Sequence, residues 1–227
     1  RSQYGMPVIG ITGSNGKTVV KEWLFQALRD TEHIVRSPGS WNSQVGVPLS
    51  VWEMRPEHSL GIFEAGISQP GEMDRLRATI KPTIGVFTNI GPAHGENFHS
   101  DLEKALEKAR LFNDAEALVY CADHPAVCAA LDKSALDQRV ALRGWSRERN
   151  GWLHVVHEQR SAQGTRITVI NDAVSFDFSI PFTDQASVEN ALHCVTLLLH
   201  LGHGPQWIAE RMPHLAPVAM RLETVEG

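Results

Sequence analysis

Short apolar runs alternate with helical patterns through the first half of the chain, and this alternation is the tightest constraint on its fold. The runs lie at 7–12, 33–37, 59–65, 83–90 and 116–122, each rich in Val, Ile or Phe or bounded by Gly and Pro. Helical patterns occupy 17–29, 45–54, 70–80 and 100–113. Strand followed by helix, repeated, builds βαβ units, and these give an α/β fold: a mostly parallel sheet with helices on both faces. Ligands on such sheets bind at the carboxyl ends of the strands. Three polar clusters fall there: Thr12-Gly13-Ser14-Asn15-Gly16 after the first strand, Glu64-Ala65-Gly66 at the end of the third, and Asn89-Ile90-Gly91-Pro92-Ala93-His94 after the fourth.

Past about residue 140 the pattern changes. Residues 151–158, 164–170 and 173–180 read as a small antiparallel β subsection, the first two strands joined by the polar turn "EQRSAQGT". Helices follow at 186–202, with a strong apolar face, and at 205–212, with Pro205 near its start. The net charge of −5 gives no electrostatic case for binding nucleic acid, and no apolar run approaches a membrane span. Three cysteines, Cys121, Cys128 and Cys194, make no disulfide framework, so a reducing, cytoplasmic setting is expected. The chain opens almost directly on a strand and stops in "MRLETVEG"; a domain of a longer protein is expected.

The first cluster carries the clearest chemistry. Gly13 and Gly16 allow a tight turn with Ser14 and Asn15 between them, and the loop's amides, at the start of helix 17–29, suit phosphate oxygens. Lys17 adds a mobile cation, and the Thr18 hydroxyl suits Mg²⁺. The loop is P-loop-like, yet Ile11 stands where the common pattern has its first glycine. Glu64 ends an apolar strand, where a buried carboxylate is costly unless paired; a bound Mg²⁺ would explain it, and so would exposure to solvent. His94 alone reads as a loop or packing residue. Lys108, in "SDLEKALEKARLF", reads as part of a solvated charged helix face, and nothing physical selects it over Lys104. Cys121, His124 and Cys128 lack a fourth ligand with convincing spacing and read as packed side chains.

Taken together, the clusters resemble the Mur ligase family. "ITGSNGKT" is similar to that family's ATP-binding loop, T-G-x-x-G-K-[ST], which lacks the first glycine of the common P-loop. "FEAGISQPGEM" resembles its E-x-G segment and implies Glu64 as a Mg²⁺ ligand; "FTNIGPAHGENF" resembles T-N-[IL]-x-x-x-H and implies His94 as another. Lys108 follows His94 by the spacing of the family's carbamylated lysine, and Phe112 fits the apolar position after it. "ASVENALHC" resembles the N-x-x-N-x-x-A-A helix start that contacts adenine, with Asn190 as the second Asn and Ser187 in place of the first. "PVAMRLE" is similar to the G-R-[LFM]-E stretch, with Met220 for Gly, and implies that Arg221 reaches the γ-phosphate.

The resemblance covers nearly the whole chain as the family's central ATPase domain, without its N-terminal UDP-sugar and C-terminal ligase domains. "GSNGKT-x-x-KE", "WNSQVGVPLSV" and "GEM" are most similar to members that add D-alanyl-D-alanine to UDP-N-acetylmuramoyl-tripeptide, especially a form fused to an alanine racemase. The implied reaction forms an acyl phosphate from ATP, which the dipeptide amine then attacks. Two Mg²⁺ ions are implied, one at Thr18 and Glu64, the other at His94 and a carbamylated Lys108, with Lys17 on the phosphates. Two alternatives are a folylpolyglutamate synthetase, whose loop usually reads G-K-G-S, and a P-loop regulatory module that binds nucleotide without ligation.

Overall fold

A computed structural model describes residues 1, 3–91, 97–148 and 151–218. The strands are β1 (Val8–Thr12), β2 (Ile34–Arg36), β3 (Leu60–Glu64), β4 (Ile84–Phe87), β5 (Ala117–Cys121), β6 (Ala141–Ser146), β7 (Leu153–Ser161), β8 (Gly164–Asn171) and β9 (Val174–Ile180). The helices are α1 (Lys17–Leu28), α2 (Gly46–Trp52), α3 (Glu72–Ile80), α4 (Asp101–Ala109), α5 (Pro125–Lys133), α6 (Gln185–His200) and α7 (Pro205–Arg211). All nine strands form one sheet in the order β2-β3-β1-β4-β5-β6-β7-β8-β9.

Pairing is parallel from β2 through β7 and antiparallel between β7, β8 and β9. The step from β1 to β2 runs toward one edge, and every later crossover runs the other way. Right-handed connections then place α1 on one face and α2 to α5 on the other. The side chains follow that rule. Val20, Trp23, Leu24 and Leu28 of α1 share a core with Ile9, Ile11, Ile62 and Val86 and with α6. Val47, Met73, Leu76, Ala105 and Val127 share the opposite core with Val8, Phe63 and Phe87. Strands β1, β3 and β4 are buried at every residue, as expected of strands covered on both faces.

Several differences from the sequence reading matter. Strand β6 and helix α5 are absent from its assignments, and "ALRGWS" explains why: Arg143 and Gly144 interrupt its apolar character. As β6 pairs parallel with both β5 and β7, the antiparallel strands continue the main sheet rather than standing apart. Most of "EQRSAQGT" is strand, with only Ala162 and Gln163 between β7 and β8. The helix expected over 100–113 is α4 followed by a 3₁₀ turn, Arg110–Phe112.

That turn presses Phe112 onto β4. A Cβ on Gly85 would lie 2.3 Å from Phe112 Cδ1 and 2.8 Å from Leu118 Cδ1. Gly85→Ala is therefore expected to lower stability by about 1–3 kcal/mol through overpacking. Urea unfolding would show a lower midpoint with an unchanged slope; an unshifted midpoint would mean that the ring moves aside without cost.

Candidate functional site at the carboxyl ends of β1, β3 and β4

The reversal of crossover direction occurs at β1, so the crevice beyond its carboxyl end is the topological switch point. The loop Gly13–Gly16 lies there. Gly13 has φ 144° and Gly16 φ 82°, conformations that favour glycine. Space is equally restrictive: a Cβ on Gly13 would stand 1.9 Å from Thr88 Oγ1, and one on Gly16 would stand 2.2 Å from Asn190 Oδ1.

The loop is held from β4. Asn89 accepts from the Ser14 amide through its backbone oxygen (2.8 Å) and from the Asn15 amide through Oδ1 (3.0 Å). Thr88 donates its hydroxyl to Asn15 O at 2.6 Å. The sequence reading offered the loop's amides to phosphate oxygens; two of them are instead engaged in fixing the loop. The leading amides of α1 have no partner within the helix, which leaves them to a ligand or solvent.

Two ammonium groups meet at the loop. Lys17 Nζ donates to Gly13 O at 2.8 Å and to Ser14 O at 3.1 Å, while Lys108 Nζ reaches Gly13 O at 3.3 Å. Like charges converging on one carbonyl suit a polyanion, whose oxygens would compensate both. Beside them the Thr18 hydroxyl donates to Glu64 Oε2 at 3.0 Å. Glu64 is fully buried. Its Oε1 has no well-directed hydrogen bond, although Lys21 Nζ stands 2.9 Å away. A hydroxyl and a carboxylate oxygen at this separation are the hard donors that Mg²⁺ prefers, so the residues present fit that ion.

Helix α4 corrects one expectation. Lys104 is not on a solvated face: it is 2% exposed and Lys108 3%. The two are four residues apart and share the inward face of the helix with Glu107. Glu107 Oε1 accepts from the amides of Gly71 (2.7 Å) and Met73 (3.1 Å), which fastens α4 to the start of α3 and aims Lys108 at the loop. His94 and Arg221 lie outside the described residues. Among the described residues no three His, Cys, Asp or Glu side chains converge as a metal site.

The end of the described chain lies along α1. Trp23 Nε1 donates to Ala216 O (3.0 Å), and the Ala216 amide donates to Gln26 Oε1 (2.7 Å). A cavity of about 290 Å³ opens beside it, lined by Thr18, Glu22, Gln26, Gly39, Pro217 and Val218.

Residues 11–198 match the model of the Mur ligase middle domain. The chain belongs to the Mur ligase family. A relative from Bacillus subtilis (strain 168), UDP-N-acetylmuramoyl-tripeptide–D-alanyl-D-alanine ligase, is 29% identical over 227 residues, covering 99% of this chain and 48% of the relative. The Mur ligase domain thus spans about half the length of the curated relatives it matches. A crystal structure of MurF from Acinetobacter baumannii superposes with TM-score 0.86 at 22% identity, over 97% of this chain and 49% of that one. MurF from Thermotoga maritima in complex with ADP superposes with TM-score 0.82 at 22% identity, over 96% and 50%. At these identities the structures establish the fold.

Behind the loop of this Mur ligase domain lies a layer that sequence reasoning missed. His193 of α6 is buried between Trp145 Nε1, 3.1 Å from its Nδ1, and Thr88 O, 3.1 Å from its Nε2. An indole N–H can only donate, so Nδ1 accepts and Nε2–H donates to Thr88 O. The same Thr88 grips Asn15 through its hydroxyl, so β6, α6 and β4 jointly brace the loop. Lys21, in "KT-x-x-KE", likewise carries a signal that charge pattern alone does not reveal: it follows Lys17 by four residues, about one helical turn. His193 left no signal: one histidine on an apolar helix looks like any other.

Burial drives the His193 imidazole down to about 3. The unfolded chain takes up that proton near pH 6.5 and the folded one does not, so acidification below 6.5 favours unfolding until about pH 3. The neutral imidazole's contribution is complete above pH 6.5. The stability gap between wild type and His193→Gln is therefore expected to shrink by about 2 kcal/mol between pH 7.5 and pH 5. Urea midpoints at the two pH values test this; a constant gap would assign the titration elsewhere.

Proposed function

We propose that these 227 residues are the central ATP-binding domain of a ligase that adds D-alanyl-D-alanine to UDP-N-acetylmuramoyl-tripeptide in peptidoglycan precursor synthesis. The observation that carries this reading is the meeting of Lys17, Lys108, Thr18 and Glu64 around the Gly13–Gly16 loop, in a chain of the Mur ligase family. The B. subtilis relative bears the name of that activity, and the match covers 48% of its length. A folylpolyglutamate synthetase is the weaker reading, because its G-K-G-S loop would not place a threonine directly after Lys17, where Thr18 now bonds Glu64. The fused racemase rests only on the wording of the sequence.

The chain's residues then divide the work of phosphoryl transfer. In the proposed reaction a carboxylate of the tripeptide attacks the γ-phosphorus of ATP, giving an acyl phosphate and ADP. The dipeptide amine next attacks the acyl carbon and expels phosphate. Lys17 swings from the loop carbonyls onto the phosphates and follows their developing charge, while the α1 amides hold the oxygens still. Thr18 and Glu64 would hold one Mg²⁺; His94 and a carbamylated Lys108 would hold another. Bound there, Mg²⁺ would supply charge neutralisation and Lewis-acid polarisation. Asn190, whose Oδ1 fills the space a side chain at Gly16 would need, is proposed to contact adenine, and Arg221 to reach the γ-phosphate.

In the full-length enzyme, Lys17→Ala is expected to lower turnover by roughly 10²–10³, the usual worth of one such electrostatic contact, with the melting temperature nearly unchanged. Asn190→Ala should mainly raise the KM for ATP, since the base is bound alike in ground and transition states. Steady-state kinetics with the muramoyl tripeptide and D-Ala-D-Ala decide both, and the absence of any ligation in wild type would refute the proposed activity.

Lys108 and Lys104 are separated by a second pair of variants. Lys108→Ala should abolish ligation, and formate or acetate should restore part of it by filling the vacated oxygen position. Lys104→Ala should instead cost stability, about 1–2 kcal/mol from the lost packing of its buried stem, with the folded enzyme still active. A carbamate signal from ¹³C-labelled bicarbonate that vanishes only in Lys108→Ala would identify the modified residue; normal ligation by that variant would remove Lys108 from the mechanism.

A further inference from the structure

Lys21 is fully buried, as is the carboxylate it faces. Its Nζ lies 2.9 Å from Glu64 Oε1 and 3.1 Å from Glu22 Oε1, and it also donates to Ser37 O at 2.7 Å and to Gly39 O. We propose that Lys21 is a positioning residue that keeps Glu64 charge-compensated, so that Thr18 and Glu64 take up a divalent cation only together with the nucleotide's phosphates. The inference rests on the reading of Thr18 and Glu64 as a metal-binding pair.

Charge in the site supports it. Glu22 is already paired with Arg36, whose Nε and Nη2 both lie 3.1 Å from its Oε2. Among the described residues, two carboxylates thus face two cations. A dication approaching Glu64 without nucleotide meets a carboxylate that already has a cation. A nucleotide polyphosphate reverses that balance. Lys21 cannot swing aside to make room, because the Ser37 and Gly39 carbonyls hold its remaining N–H groups. Glu64 therefore keeps Oε1 on Lys21 and presents only Oε2, the oxygen beside the Thr18 hydroxyl. A lysine serving merely to neutralise a buried carboxylate would affect stability without making metal binding depend on nucleotide.

The test is Mn²⁺ binding to the full-length protein, followed by the electron paramagnetic resonance signal of free Mn²⁺, with and without ADP. Wild type is expected to bind Mn²⁺ weakly alone and much more tightly with ADP. Lys21→Gln keeps donors toward the carbonyls but removes the charge, and should bind nucleotide-free Mn²⁺ about tenfold more tightly or better. Lys21→Arg, which keeps the charge, should behave as wild type, and adding Glu64→Gln to Lys21→Gln should erase the gain. Should neither Lys21 variant fold, wild type still decides: Mn²⁺ binding as tight without ADP as with it overturns the proposal. So does a Lys21→Gln affinity equal to that of Lys21→Arg. Failure of wild type to bind Mn²⁺ even with ADP would overturn the metal-pair reading itself, and the role of Lys21 with it.

Discussion

A right-handed crossover can place its helix on only one side of a twisted sheet, and the order of the strands decides which side. In this chain the single step that runs against the others, from β1 to β2, sends α1 to one face while α2 to α5 cover the other. The consequence is a gap beyond β1 where neighbouring connections leave in opposite directions. Everything proposed for the phosphate loop depends on that gap, because only there can a loop, a helix N-terminus and the ends of β3 and β4 face one another without an intervening helix.

What fills the gap is built with little slack. Thr12 donates to Ala65 O on one side and accepts from the Thr88 amide on the other, so the end of β1 is tied to both flanking strands. Thr88 and Asn89 hold the loop, and His193 holds Thr88. A preorganised loop of this kind is bonded before a ligand arrives and need not be ordered by it. The arrangement is also electrostatically asymmetric: cations point into the loop, while the fully buried Glu64 carboxylate beside it already faces Lys21.

Much of this was legible in the sequence, for physical reasons that differ by residue. The alternation of apolar runs and helical patterns identified β1 to β5 and α1 to α4, because strands buried on both faces read as continuous apolar stretches. Strand β6 escaped because Arg143 and Gly144 broke that continuity, and α5 escaped with it. Gly13, Gly16, Lys17 and Thr18 stood out since few loops combine those residues at the start of a helix, and the fold places them together with Glu64. Lys104 was misjudged: charge pattern alone says nothing about which face of α4 packs inward, and long side chains can be buried where their heads find a polar setting. The His193 brace and the Lys21 pair are products of tertiary packing between distant elements, for which a single sequence offers no local sign. His94 and Arg221 rest on resemblance throughout.

Helix α1 joins two ends of the chain's traffic. Its first turn carries Lys17 and Thr18, and farther along it the buried Trp23 and the half-buried Gln26 clasp Ala216. At a rise of about 1.5 Å per residue, the two stations are only some 10 Å apart along one rigid rod. The segment around Ala216 is therefore fastened to the same stiff body that presents the Gly13–Gly16 loop. The helix acts as a shared axle: a rotation imposed at the clasp would be felt at the loop without passing through any flexible joint.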